Sequence, residues 1–82
     1  MYAYLSYRHG KPRIEKCRTF KEALRSFLSD FDSGEAYGIG IYVECDKALY
    51  LPDFKDREQS VSEAKRLGYE VMNVYTFEGI AV

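Results

Sequence analysis

The side chains best suited to chemistry in this sequence are few: one histidine, two cysteines and a scatter of acids. His9 lies in His9-Gly10-Lys11-Pro12, which reads as a turn, and its charged neighbours in sequence are cations. General acid–base work needs a positioned and oriented partner, and none is at hand. Cys17 and Cys45 each fall in a strand-like stretch with no histidine close by, so an activated nucleophile cannot be assembled. A single cysteine pair is not a disulfide framework, and with one histidine and no CxxC spacing it cannot complete a zinc set. The two read as reduced thiols. Asp30-Phe31-Asp32-Ser33-Gly34-Glu35 opens like a calcium loop. The third ligand is missing, however, the glycine comes early, and the twelfth position is Ile41 where a glutamate is needed. It reads better as an acidic loop after a helix. Neither an enzyme, a metal site nor a cofactor is expected.

Binding is the alternative to chemistry, and the tyrosines point to it. The chain holds 8 Tyr, 5 Phe and no Trp. In the stretch 36–45, Tyr37, Ile39, Ile41 and Val43 alternate with Gly38, Gly40, Tyr42 and Glu44. If the Ile/Val face meets the helices, Tyr42 looks outward beside two glycines that leave room for something flat. Ala3 and Leu5 suit a core, which places Tyr2 and Tyr4 on the outer face, and Tyr50 alternates with Leu49 and Leu51 in the same sense. In the last strand Val71, Tyr75 and Phe77 share one parity and Met72 and Val74 the other, so both of its faces are apolar. An antiparallel sheet covered on one side normally shows a polar outer face. An aromatic one predicts a contact surface made of Tyr2, Tyr4, Tyr42, Tyr50, Tyr75 and Phe77. The plainer explanation is that Tyr is favoured in strands.

Charge is distributed unevenly. Residues 1–25 carry seven basic side chains against two acidic, and residues 26–82 carry five against eleven, although the net charge is only −1. Such separation can steer an approaching partner. Arg8, Lys11, Arg13, Lys16 and Arg18 would supply phosphate contacts to a single-stranded nucleic acid, with Tyr4 and Tyr42 stacking on bases. The segment Ala36-Tyr37-Gly38-Ile39-Gly40-Ile41-Tyr42 alternates glycine and aromatics as RNA-recognition strands do. It departs from that pattern with acidic Glu35 in the leading basic position and Ile39 at an inner aromatic one. Glu44, Asp46, Asp53, Asp56 and Glu58 would form an acidic patch if the fold brought them together.

The elements that must position these residues are legible in the pattern. Tyr2 to Arg8 and Arg13 to Arg18 read as a hairpin. Thr19-Phe20-Lys21-Glu22 is a capping box, and apolar residues at 20, 23, 24, 27, 28 and 31 form the stripe of an amphipathic helix ending near Gly34. Ala36 to Cys45 and Lys47 to Leu51 read as strands joined at Asp46-Lys47, with Pro52 as a stop. Ser60-Val61-Ser62-Glu63 is a second capping box, opening a helix with Val61, Ala64 and Leu67 inward and Gly68 as its end. Tyr69 to Phe77 is the last strand, followed by a short apolar tail.

An order of ββαββαβ over 82 residues predicts one compact α+β domain, residues 1–82. The expected form is a two-layer sandwich: an antiparallel sheet of four to five strands, both helices on one face, in a ferredoxin-like arrangement. No apolar run is long enough for a membrane span and the N-terminus lacks signal-peptide character, so a soluble, cytoplasmic protein is expected. The function read from this sequence is non-enzymatic protein–protein binding through the open aromatic face, to a protein partner or a second copy. Inhibitors or adaptors encoded by phage and other mobile elements fit this size and architecture. Nucleic-acid binding is the alternative, and no small-molecule substrate or membrane is expected.

Overall fold

In the computed structural model the chain follows the order read from its sequence: β1 (Tyr2–Arg8), β2 (Lys11–Cys17), α1 (Phe20–Ser33), β3 (Ala36–Val43), β4 (Ala48–Leu51), α2 (Arg57–Arg66) and β5 (Asn73–Thr76). The structure describes residues 1–33, 36–51 and 57–76, with the side chains of 31–33, 36 and 37 also outside that description. The five strands form one sheet in the order β2-β1-β3-β4-β5. Among the described residues no helix is long and apolar enough to cross a membrane.

Local chemistry explains most of these elements. The first hairpin turns on two residues, His9 and Gly10, both with positive φ (53° and 75°). That tight turn matches the twist of the strands it joins. Pro12, expected in the turn, instead lies in β2 opposite Tyr7. An edge strand tolerates it, because the missing N–H can face solvent. At the start of α1 the Glu22 N–H donates to Thr19 Oγ1 (3.1 Å), and Glu22 Oε2 accepts from the Arg18 N–H (3.1 Å). The box thus closes one residue ahead of its usual partner. The second expected box is not a cap: α2 already begins at Arg57, so Ser60 lies inside the helix. Its end is as expected. Gly68 has φ +98°. The Gly68 N–H donates to the Lys65 carbonyl and the Tyr69 N–H to the Ala64 carbonyl, both at 3.0 Å, the bond pair of a Schellman stop.

Three features of the sheet differ from the sequence expectation. First, it is mixed: β1–β2, β1–β3 and β3–β4 pair antiparallel, but β4 and β5 pair parallel. The reason is α2, which carries the chain back so that β5 starts at the same end as β4. Second, the arrangement is not clearly ferredoxin-like. Third, the helices lie on opposite faces. Ala23, Leu24 and Phe27 of α1 pack with Tyr4, Cys17 and Ile41. Ala64 of α2, with Val61 and Leu67, packs with Ala3, Leu5, Tyr7, Ile39, Tyr42, Leu49 and Leu51. Two cores therefore sandwich the sheet, and five consecutive residues of β1, Ala3 to Tyr7, are buried. A strand covered on both sides has no polar alternation to show.

A bulge in β3 completes the arrangement. Leu5 pairs with Gly40 and Ser6 with Gly38, which leaves Ile39 as the extra residue. Ile39 joins the α2 core while Ile41 joins the α1 core, although their spacing of two predicts a shared face. The glycines on either side admit close neighbours. A Cβ on Gly38 would lie 2.1 Å from the Phe27 ring, and one on Gly40 would lie 2.8 Å from the Tyr50 carbonyl oxygen.

Candidate functional site

The six aromatic residues expected on one open face do not share a face. Tyr4 pairs with Ile41 in register, and Tyr42 pairs with Ala3. Tyr4 therefore belongs to the α1 side and Tyr42 to the α2 side, and both are buried (1% and 5% exposed). The Tyr4 hydroxyl donates to Asp30 Oδ2 at 3.0 Å. Burial, and then this bond to a carboxylate, raises its pKa well above the usual tyrosine value. The Tyr42 hydroxyl donates to the Glu70 carbonyl at 2.8 Å, and its ring stands 4.7 Å from that of Tyr69. Neither ring can stack on a base without dismantling a core. The expectation of one open aromatic face is corrected on this point, because each face carries its own helix. Phe77 lies outside the described residues.

What survives is a shorter aromatic row on the α1 side. Tyr2 of β1 meets Phe20 of α1 edge-on at 6.1 Å, Phe20 meets Tyr50 of β4 at 5.3 Å, and Tyr50 meets Tyr75 of β5 at 5.2 Å. Cover falls along the row. Tyr2 and Tyr50 are half-buried, whereas Tyr75 is 48% exposed; among the described residues α1 packs over β1 and β3 rather than over β5. A shallow groove of about 320 Å³ opens between Tyr2, Phe20, Val43, Asp46 and Tyr50.

The two edges of the sheet differ in chemistry. β2 carries Lys11, Pro12, Arg13, Glu15 and Lys16. β5 reads Asn73-Val74-Tyr75-Thr76 and holds no charge. Charge and proline are the usual guards of an edge strand against pairing with another chain. By that measure β2 is guarded and β5 is bare. Met72, just ahead of β5, is 67% exposed. Near the start of β5, Lys47 pairs with Glu70 at 2.7 Å, and Arg57, Glu58 and Lys65 of α2 line a groove with Val74.

The basic residues separate by strand parity. Arg8, Lys11 and Arg13 share the α1 side of the hairpin, where Arg8 faces Lys11 and Arg13 faces Ser6. Lys16 lies on the opposite side, bonded to Glu44 at 2.8 Å with its ammonium 5.9 Å from the Tyr69 ring centre. That bond raises the Lys16 pKa and lowers that of Glu44. Arg18 sits in the connection to α1. A continuous phosphate track along all five is thus not formed. Asp30 is the acid around which the first set gathers. It is 6% exposed, with Arg8 at 3.0 Å and Arg13 at 3.8 Å.

The described acidic residues, Glu44, Asp46 and Glu58, do not converge. Glu44 and Asp46 lie in the β3–β4 turn and Glu58 in the first turn of α2, at opposite ends of β4. Four strand residues separate those ends by roughly 13 Å. Asp53 and Asp56 lie outside the described residues, as do Gly34 and Glu35 of the calcium-like segment. No group of three or more His, Cys, Asp or Glu that could hold a metal ion occurs among the described residues. Cys17 is buried and Cys45 exposed, both free, and burial chiefly raises the Cys17 thiol pKa.

Sequence reasoning missed Arg25, Ser26 and Ser29, which line a concavity with Arg8, Arg13 and Asp30. One signal was available. Asp30 lies near the C-terminal end of α1, a helix with no basic residue in its last turn. A carboxylate is unfavourable there and calls for a cation from another element. Comparison with models of protein families, with curated proteins and with solved structures returns no match.

Proposed function

We propose that this chain is a non-enzymatic binding protein that works by protein–protein contact at the β5 edge, with a second copy of itself as the occupant. One observation carries the reading: β5 is an uncharged edge strand that presents Tyr75 beside Tyr50, beyond the strands that α1 packs over. Antiparallel pairing of β5 with its copy would satisfy the outward backbone groups of both strands. It is also isologous, so each Tyr75 would meet the same surface it offers. Charge favours a copy as partner. The Lys47–Glu70 pair beside the edge is internally neutral and the whole chain carries only −1, so self-contact meets little like-charge repulsion.

Light scattering after size exclusion tests the reading. The parent chain is expected to elute with twice its 9.5 kDa mass. Tyr75→Lys, which guards the edge with a charge, is expected to give a folded monomer. A parent that stays monomeric at high concentration, or a Tyr75→Lys variant that remains dimeric, rejects it.

A further inference from the structure

We infer that the flank of α1 facing the first hairpin is a binding site for a phosphate-type oxyanion. The site is a concavity of about 390 Å³ between β1–β2 and α1. Its walls carry Arg8 and Arg13 from the hairpin and Arg25, Ser26 and Ser29 from the helix. Arg25 and Ser29 are four residues apart and Ser26 and Ser29 three, so all of them line the same flank.

The arginines are not equally committed. Asp30 at the floor accepts a bond from the Tyr4 hydroxyl at 3.0 Å and one from Arg8 at 3.0 Å. Arg13 stands off at 3.8 Å from the same carboxylate, a distance too long for a good hydrogen bond. Arg25 makes no ion pair or hydrogen bond among the described residues, and Arg8 Nε is buried with no acceptor. The groove thus holds guanidinium donors in excess of the acceptors it contains. Three cations, Arg8, Arg13 and Arg25, face two carboxylates, Glu15 and Asp30. The surplus of one positive charge, with Lys11 opposite Arg8 in the strand ladder, favours an anion. Two guanidinium groups and two hydroxyls offer donors from several directions, which suits a tetrahedral oxyanion. Asp30 does not repel it strongly, since Arg8 and Tyr4 already engage both carboxylate oxygens.

Titration of the full chain with inorganic phosphate, followed by nuclear magnetic resonance of arginine Nε–H groups and backbone amides, tests the site. Saturable shifts are expected at Arg13, Arg25, Ser26 and Ser29, with phosphoserine behaving likewise. Arg25→Ala and Arg13→Ala should each weaken binding about tenfold or more, the scale of one charge-assisted hydrogen bond. Lys16→Ala removes the same charge from the opposite face and should leave the affinity unchanged. The inference is overturned if sodium chloride at equal ionic strength reproduces the shifts, or if Lys16→Ala weakens binding as much as Arg25→Ala. It is also overturned if a single-stranded oligonucleotide lacking a terminal phosphate binds at this groove while inorganic phosphate does not.

Discussion

Replacing Gly38 with alanine tests whether α1 really covers the sheet face that the tyrosines were expected to leave open. A Cβ at that position would stand 2.1 Å from Cε2 and 2.3 Å from Cδ2 of Phe27. Carbon atoms in contact sit about 3.5–4.0 Å apart, so the ring would have to retreat by more than about 1 Å. It has little room to do so, being 6% exposed and edge-on against Tyr4 at 6.0 Å. Forcing one extra carbon into a packed core costs roughly 1–3 kcal/mol. A midpoint of about 2 kcal/mol lowers Tm by roughly 8–16 °C in a domain of this size. Thermal and urea unfolding followed by circular dichroism at one protein concentration measures it. Phe27→Leu, which removes the offending ring edge, should recover part of the loss, leaving the double variant about 0.5–3 kcal/mol better than additive. An unchanged Tm in Gly38→Ala, or strictly additive costs, would refute the placement of α1.

Two further outcomes follow from burial. Tyr4, Tyr42 and Tyr50 are all held above the ordinary tyrosine pKa, chiefly by burial. Each is protonated in the native state where its unfolded counterpart ionises, so their stabilisation is complete below about pH 10 and is lost as pH rises beyond it. Alkaline unfolding followed at the tyrosinate absorbance band should accordingly be shallower in Tyr4→Phe than in the parent, and an identical profile would discount the Tyr4 environment. The native chain should titrate one thiol rapidly with a disulfide reagent, exposed Cys45, and the second, Cys17, only on adding denaturant. Two fast thiols in the native protein would contradict the packing of Cys17 against α1.

Element order was legible because it is written in local chemistry. The Thr19–Glu22 box, the 3.6-residue stripe of α1 and the Gly68 stop each concern neighbours within one turn, and each appears where the pattern puts it. Layering was not, because it depends on register between distant strands. Parity alone cannot say that Tyr42 faces Ala3 rather than Tyr4, and the Ile39 bulge shifts that parity by one residue. The apolar character of both faces in the last strand did not mark two-sided cover: Val74 packs on the α2 core, whereas Tyr75 on the other side is 48% exposed. Its reading as an exposed aromatic surface assumed a helix on one side only. For the basic groove, Arg8 and Arg13 were visible as hairpin cations. Arg25, Ser26 and Ser29 looked like an ordinary solvated helix face, since nothing local says that a hairpin lies alongside.

The two cores also explain how a charge imbalance along the chain becomes a spatial one. α1 runs alongside β1, with Phe20 near Tyr2 and Asp30 near Arg8. Its second half therefore lies beside the hairpin end that carries Arg8, Lys11 and Arg13, and Arg25 completes the cluster. On the other flank of the same helix lie Tyr50 and Tyr75, with an uncharged strand at the edge. A sheet covered on both faces has only its edges and helix flanks left for recognition. Here those remaining surfaces are opposite in character: one rich in guanidinium groups, the other aromatic and neutral. The groove lined by Arg8, Arg13 and Arg25 and the row of Tyr2, Phe20, Tyr50 and Tyr75 share no side chain, and α1 borders both, so the two proposed contacts do not compete for the same residues.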